Sequence, residues 1–551
     1  MSILEINRDV LPIWGSSKSA ANSSELMVIN SKNSTIEFTD ITPALLSEFR
    51  HYQTVGIAVE LLNCSIIERY SDAALEAANF LVQHKNLPTS ITQLILKTLG
   101  KNSQVADAPQ SEHKIQTLRK KIRQHQRDPI TWVELSREYA IAGEKKKSKQ
   151  AMLAAVQLSY DHRWITRSAA RVFVHFDDPD TAHDILVRNP NIRTDPWLIA
   201  TEMAVARKAG KKTKLWNIGK SLLDSKIKPV HLSELASSVA TYELISGAEK
   251  RAKPFFKQSL IDPNQNSLAQ AKWAERTSGL KKLVKIPLNS NLIAYEAQYW
   301  EAYNSGDMTL ALSYALAWFD NEPYSNAPPE AVCFIAGLLE NHKLIAAVSK
   351  KGLKANPKNT TLQINLMFSW LTSKNLNELN TKDKIVFENY KKYLFSATLS
   401  TSKFEASHAL ANLGMINYRQ GFIEQGKLYY EQSEELMPLN KLYVTINHLR
   451  ESLIAEAQWS GEILQKAHIQ LSGPASSATP ASKFYLEKIA FLNNTKGTWK
   501  QKFSDINLLE DFTKRHSIQA LPPQKSIEST FWLPQEFSSI PSLSTFTERK
   551  K

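Results

Sequence analysis

Apolar and small residues recur at helical spacing through the middle of the chain. In residues 128–161, Trp132, Leu135 and Tyr139 fall at i, i+3 and i+7, on one face of a helix. Gly143 follows as a terminator, and a second helix is indicated by small and apolar residues at i, i+4 and i+7, namely Ser148, Met152 and Ala155. This pattern predicts two antiparallel helices that approach closely at the small residues.

The same pattern returns with a period of about 34 residues. A second clear copy spans residues 408–440, and its matching positions are Leu410, Leu413, Gly414, Gly421, Gly426, Tyr430 and Pro438. Weaker copies keep parts of the frame around Asn189-Pro190, Leu260–Asn264, Gly306 and Lys351–Asn359. A period of this length indicates stacked helix pairs that bury a continuous core.

Both clear copies resemble the tetratricopeptide repeat. They resemble its order of an aromatic residue or Leu, then Leu-Gly, then a turn glycine, followed by small, aromatic and small residues and a Pro. The resemblance covers residues 114–450, with degenerate copies between the two clear ones. It implies a right-handed superhelix with an extended concave groove that binds protein segments, and therefore a scaffold or adaptor.

By this resemblance, the groove is lined by residues on the first helix of each pair. In the two clear copies these candidate groove residues are Val133, Arg137, Ala140, Ala411, Asn412 and Met415. They do not match the family's carboxylate clamp for chaperone tails, and they suit an apolar or amphipathic partner helix better. The alternative is that they contact inner helices of the superhelix itself.

The predicted fold class is all-α, an α-α superhelix (TPR-like solenoid) with a helical N-terminal cap and a helical C-terminal region. Thr42-Pro43 is typical of a helix start. The predicted organisation is a 1–41 segment with a short hairpin, a 42–112 cap, a 113–450 array, a 451–520 helical region and a 521–551 Pro-rich tail. Polar stretches at residues 15–24, 101–112 and 472–482 are predicted linkers.

Composition narrows the function classes. Only 17 of 551 residues are glycine, which argues against barrels, propellers and Gly-rich nucleotide-binding loops. Cys64 and Cys333 cannot form a disulfide framework or a Cys-based zinc site. Met1–Gly15 lacks the apolar core of a signal peptide, and Ala331–Leu339, the longest apolar run, is too short to span a bilayer. We therefore expect a soluble, cytoplasmic protein without membrane insertion or cofactor.

A net charge of +14 is concentrated in basic clusters. Most of them fall where the repeat frame places turns between first and second helices. We call these residues the basic ridge: Arg119, Lys120, Lys121, Lys145, Lys146, Lys147, Lys211, Lys212, Lys214, Lys250 and Arg251. The ridge could hold nucleic-acid phosphates, an acidic protein or anionic lipid. The alternative is that these lysines are ordinary solvated turn residues.

Two short motifs could bind a phosphate or a metal ion, and each also has a purely structural explanation. Gly421–Lys427 has the spacing of a phosphate-binding loop, but Leu428 replaces the magnesium-binding Ser or Thr, and both glycines have packing roles in the repeat. A cluster of acids and histidines could ligate a metal, and comprises His175, Asp177, Asp178, Asp180, His183 and Asp184. Helix capping at Asp178-Pro179 explains that cluster more simply.

The sequence thus predicts a non-catalytic scaffold that binds a partner protein within a multi-protein complex. The first alternative is a nucleic-acid-associated subunit that uses the basic ridge. The second is a metal-dependent hydrolase centred on Asp177, Asp180 and His183. No catalytic or metal-binding residue set is predicted, because no Ser/His/Asp or Cys/His pattern with a local signature is found.

Overall fold

The computed structural model describes residues 10–14, 42–68, 70–84, 87, 89–99, 111–278, 280, 283–284, 294–436, 441–472 and 480–495. Within these ranges the chain is helical and contains no β-strand. The prediction of an all-α fold is therefore confirmed. The predicted hairpin near residues 26–38 and the Pro-rich tail lie outside the described residues.

The helices are numbered here in chain order. They are α1 Thr42–His51, α2 Val55–Glu68, α3 Ser71–Leu81, α4 Thr89–Thr98, α5 Ser111–Gln124, α6 Pro129–Ile141, α7 Lys145–Leu158, α8 Arg163–His175, α9 Pro179–Arg188, α10 Pro196–Lys208, α11 Trp216–Leu223, α12 Pro229–Ile245, α13 Glu249–Ser259, α14 Gln265–Thr277, α15 Tyr295–Ser305, α16 Met308–Asn321, α17 Ala327–Leu338, α18 His342–Ala355, α19 Thr360–Thr372, α20 Thr381–Ala397, α21 Lys403–Arg419, α22 Ile423–Leu436, α23 Lys441–Ile454, α24 Ser460–Ser472 and α25 Pro480–Thr495.

The described residues form two compact units. The N-terminal unit comprises those of 9–140 and 144–267, and the C-terminal unit comprises those of 141–143 and 268–551. Within each unit, most helices pack against the next helix in the chain. This sequential packing is the arrangement expected of a helical-repeat solenoid.

The first helix of many pairs ends in a residue with left-handed backbone. Five of these residues are Gly143, Gly210, Gly247, Gly306 and Gly421, and three are Asp177, Glu340 and Glu456. The residues that end α6 and α8 are 34 positions apart, as are those that end α15 and α17. The 34-residue period of the sequence therefore corresponds to a repeated turn. Glycine suits this conformation best, because a Cβ atom strains it.

Small residues set the spacing within a pair. Ser136 of α6 and Ser148 of α7 exchange hydroxyl-to-carbonyl hydrogen bonds of 2.8 Å in both directions. At the same places in α21 and α22, a Cβ added to Gly414 would lie 2.7 Å from the ring of Tyr430, and Gly426 faces Gly414. The predicted close approach is confirmed. The glycine spacing that resembles a phosphate-binding loop has this packing role at Gly426.

First helices also pack side by side, and we call the layer they form the inner layer of each unit. Helix α10 contacts α8 and α12 in the N-terminal unit, and α19 contacts α17 and α21 in the C-terminal unit. Every residue of α10 from Pro196 to Ala206 is buried, as is every residue of α12 from His231 to Thr241. Helices buried on all faces must bury their polar side chains as well.

Helix α25 returns to the inner layer of the C-terminal unit. It packs against α15 and α23, although it follows α24 in the chain. The hydroxyl groups of Tyr485 on α25 and Tyr303 on α15 are 3.3 Å apart. The chain thus covers part of this inner layer with its own helix.

The Gly414 contact predicts a specific stability defect. Gly414→Ala should lower the free energy of unfolding by about 1–3 kcal/mol, because the added methyl group collides with the Tyr430 ring in a packed core. Urea unfolding followed by circular dichroism measures the change.

Gly461→Ala is the matched control in the same unit. A Cβ at Gly461 meets nothing within 4 Å, so stability should be unchanged or slightly higher. Equal stability of the two variants would contradict the close approach of α21 and α22.

Candidate partner-binding surfaces

The three predicted groove residues of the N-terminal unit are buried. Val133 and Ala140 are inaccessible, and Arg137 is 7% exposed. The Arg137 side chain reaches a different part of the chain, because its Nε donates a hydrogen bond of 3.4 Å to the carbonyl oxygen of Trp14. The predicted groove surface is therefore covered by the protein itself at this point.

The covering segment is Val10–Trp14, which has no helical structure. Val10 is 2% exposed and Trp14 is fully buried. Asn266 at the start of α14 holds the segment from another side, since its Nδ2 donates 3.0 Å to the carbonyl oxygen of Leu11. Two polar side chains thus hold main-chain carbonyl groups of a non-helical segment. The sequence analysis did not predict that this segment is buried. The only local indication of burial is the apolar run Val-Leu-Pro-Ile-Trp.

The inner layer of this unit also contains a buried ion pair. Arg167 of α8 and Glu234 of α12 are each 2% exposed and lie 2.8 Å apart. Arg167 donates further to the Trp197 carbonyl oxygen and the Thr201 hydroxyl, and Asn264 donates to Glu234. Both terminal nitrogens of Arg167 and both carboxylate oxygens of Glu234 therefore have a partner within the unit, as buried charge requires.

The three predicted groove residues of the C-terminal unit are divided between two places. Met415 is fully buried in a cluster with Trp370, Leu394 and Leu413. Ala411 and Asn412 instead line a cleft.

This cleft lies between α19, α21 and α23 and has a cavity of about 40 Å³. Apolar contacts come from residues such as Phe368 and Ala411. The polar lining residues are Asn365, His408, Asn412, Tyr443, Asn447 and Arg450.

Arg450, one of the residues that line the cleft, belongs to a network of buried charges. Arg450 Nη1 donates 2.7 Å to Glu340, and Lys488 Nζ on α25 lies 2.8 Å from the same carboxylate. On its other side Arg450 contacts Glu451, which also accepts two hydrogen bonds from Arg419. This network joins α25 to the inner layer.

The carboxylate at the centre of this network belongs to a residue with an unusual backbone conformation. Glu340 has a φ of 57° at a turn where other pairs have glycine. The strain costs about 1–2 kcal/mol. Burial raises the pKa of its carboxyl, but the charges of Arg450 and Lys488 outweigh that effect and hold the pKa well below its usual range. Its ionised side chain therefore stabilises the fold at this turn.

Residues of the basic ridge lie on the surface of the N-terminal unit. All eleven are exposed. They occupy α5, the first turn of α7, the turn between α10 and α11, and the first turn of α13.

Asp178 and Asp180, at the start of α9, pair with one lysine beside the ridge and one lysine of the ridge. Lys149 forms an ion pair with Asp178, and Lys211 Nζ lies 2.7 Å from Asp180. Farther along, Arg251 Nε lies 3.0 Å from Glu243. Part of the positive charge of the ridge is therefore balanced within the unit.

The acidic and histidine cluster has structural partners. Asp178 caps α9, since its side chain accepts a hydrogen bond from the Thr181 N–H, which confirms the predicted capping role. His183 Nε2 lies 3.3 Å from Glu202. Among the described residues, no three His, Cys, Asp or Glu side chains are grouped so that they could hold a metal ion.

No family model and no curated protein sequence matches the chain. Of the helices that the structure describes, none is long and apolar enough to cross a membrane.

The lowered pKa of Glu340 predicts the direction of a pH effect. A folded-state pKa below the unfolded value gives stability that is complete above the unfolded pKa and is lost as pH falls through the folded pKa. Wild-type protein should lose stability as pH drops below about 4.5, and Glu340→Gln should flatten that dependence.

Urea midpoints measured between pH 3 and pH 7 test this expectation. Glu456→Gln is the control, because Glu456 has the same left-handed conformation at the end of α23. An identical pH dependence in wild type and Glu340→Gln would show that the network does not depend on this carboxylate.

Proposed function

We propose that this protein is a non-catalytic, tetratricopeptide-like scaffold that binds a partner protein within a multi-protein complex in the cytoplasm. The observation that carries the proposal is the contact between the inner layer of the N-terminal unit and the Val10–Trp14 segment. There, Arg137 and Asn266 hold main-chain carbonyl groups of a non-helical segment. A surface with this chemistry suits polypeptide, whatever its sequence, because every residue offers a carbonyl oxygen.

The two units support the proposal in the same way. In each, a distant part of the chain lies on first helices: Val10–Trp14 in one unit and α25 in the other. One of these segments is non-helical and the other is a helix, so an inner layer of this kind accepts both. A partner segment would use the same types of contact.

Protein is favoured over nucleic acid as the partner. A phosphate backbone binds where unbalanced positive charge is continuous. Asp178 and Asp180 lie between the lysine clusters in the chain and pair with Lys149 and Lys211. We therefore treat the basic ridge as a second, weaker candidate surface.

A pull-down of tagged full-length protein from its native host tests the proposal. Half of the sample is treated with nuclease, and both halves are analysed by mass spectrometry. We expect one protein in stoichiometric amount in both halves. A variant with Lys146→Glu, Lys212→Glu and Lys250→Glu should retain that protein, because these side chains are exposed and lie away from the inner layer.

The nucleic-acid alternative predicts a different result in the same experiment. If nuclease removes all partners and the triple variant loses bound nucleic acid, the basic ridge is the functional surface. Binding by the ridge would also weaken steeply as salt is raised.

A further inference from the structure

Five residues form an exposed stripe along helix α20 of the C-terminal unit. We call them the α20 stripe, and they are Ile385, Glu388, Lys392, Phe395 and Leu399. Spacings of three and four positions place them on one face of the helix and of the turn that follows it. Helix α20 packs against α21 and, less extensively, against α19. The stripe is the face that these neighbours leave exposed to solvent.

The stripe has the composition of a contact surface. Its three apolar residues are open to solvent, since Ile385 is 61% exposed, Phe395 is 46% exposed and Leu399 is 85% exposed. Single exposed apolar residues are common, whereas several on one helix face are typical of a binding surface. Glu388 and Lys392 are exposed as well, and neither has an ion-pair partner within the described residues.

We infer that the α20 stripe binds the same stripe of a second copy of this chain, with the two helices antiparallel. A twofold dimer joins identical surfaces, so such a surface must be complementary to itself. Ile385 and Phe395 lie five positions before and after Tyr390. Glu388 and Lys392 lie two positions before and after it. An antiparallel pair with its twofold axis level with Tyr390 therefore makes both contacts in one register, apolar against apolar and acid against base.

The charges determine the orientation of the two helices and the kind of partner. Parallel pairing would set Glu388 against Glu388 and Lys392 against Lys392, and like charges in contact repel each other. Antiparallel pairing instead makes the attractive contact twice. The neighbouring Lys391 is half-buried, and its Nζ lies 5.7 Å from the centre of the Phe387 ring. A strongly acidic or basic partner gains no net attraction from a stripe with one charge of each sign.

The contact is small, so we expect a reversible dimer. A pair of single helix faces buries less than the about 1,200–2,000 Å² of a stable protein interface. Helix α20 is the second helix of its pair and lies outside the inner layer, so dimerisation does not use the surface proposed for partner binding. The inference therefore goes beyond the scaffold function, because a dimer presents each inner layer twice.

Sedimentation velocity of the full-length protein tests the inference. Across a hundredfold range of protein concentration, the average mass should rise from that of a monomer towards that of a dimer. Ile385→Glu should remain monomeric, because it sets a carboxylate against Phe395 in both symmetric contacts. Ile469→Glu is the matched control, because Ile469 on α24 is 64% exposed and lies outside the stripe. That variant should dimerise as wild type does, and thermal unfolding checks that both variants fold.

Two charge-reversal variants test the orientation of the helices. Glu388→Lys and Lys392→Glu should each weaken dimerisation by about tenfold, because both symmetric contacts change from attraction to repulsion. The variant with both substitutions should regain wild-type dimerisation. An equimolar mixture of the two single variants should also dimerise as wild type does, because each supplies the charge that the other requires.

Four results would overturn the inference. They are an average mass that does not change with concentration, wild-type dimerisation of Ile385→Glu, impaired dimerisation of Ile469→Glu, and a mixture that dimerises no better than either charge variant alone. None of these measurements requires the partner protein, so the inference and the scaffold proposal can fail separately.

Discussion

The need to satisfy polar groups buried on the inner layers is the constraint on which the structure depends. First helices that pack side by side leave little solvent-exposed surface, yet they carry arginines, glutamates and asparagines. Arg167 is matched by Glu234 inside the N-terminal unit, and Glu340 is matched by Arg450 and Lys488 inside the C-terminal unit. Removing one member of such a pair leaves a buried charge, which costs more than the pair contributes.

The same constraint links the fold to recognition of polypeptide. Arg137 and Asn266 are satisfied by main-chain oxygens of a distant segment, and Lys488 donates to the Leu338 carbonyl oxygen as well as to Glu340. In both units, therefore, a part of the chain remote in sequence completes the hydrogen bonds of the inner layer.

Local features of the fold could be predicted from the sequence, whereas the site could not. The pairing of α6 with α7 and of α21 with α22 follows from helical periodicity and from the positions of the small residues Ser148 and Gly414, which act over short distances. The contact between Leu11 and Asn266 joins residues 255 positions apart, and no local pattern encodes it. The role of Glu340 could not be predicted from the sequence either. A glutamate in a turn is common, and neither its left-handed backbone nor its contacts with Arg450 and Lys488 follow from the local sequence.

The most direct test of this account is whether the inner layer of the N-terminal unit binds an extended peptide supplied separately. A full-length variant with Val10→Ser, Pro12→Ser and Trp14→Ser would be titrated with a fluorescent peptide of residues 7–15, NRDVLPIWG, and followed by anisotropy. The account predicts one-to-one binding that raises the melting temperature of the variant, and little binding to wild type, whose own segment occupies the surface. Absence of binding to a folded variant, or equal binding to both proteins, would contradict it.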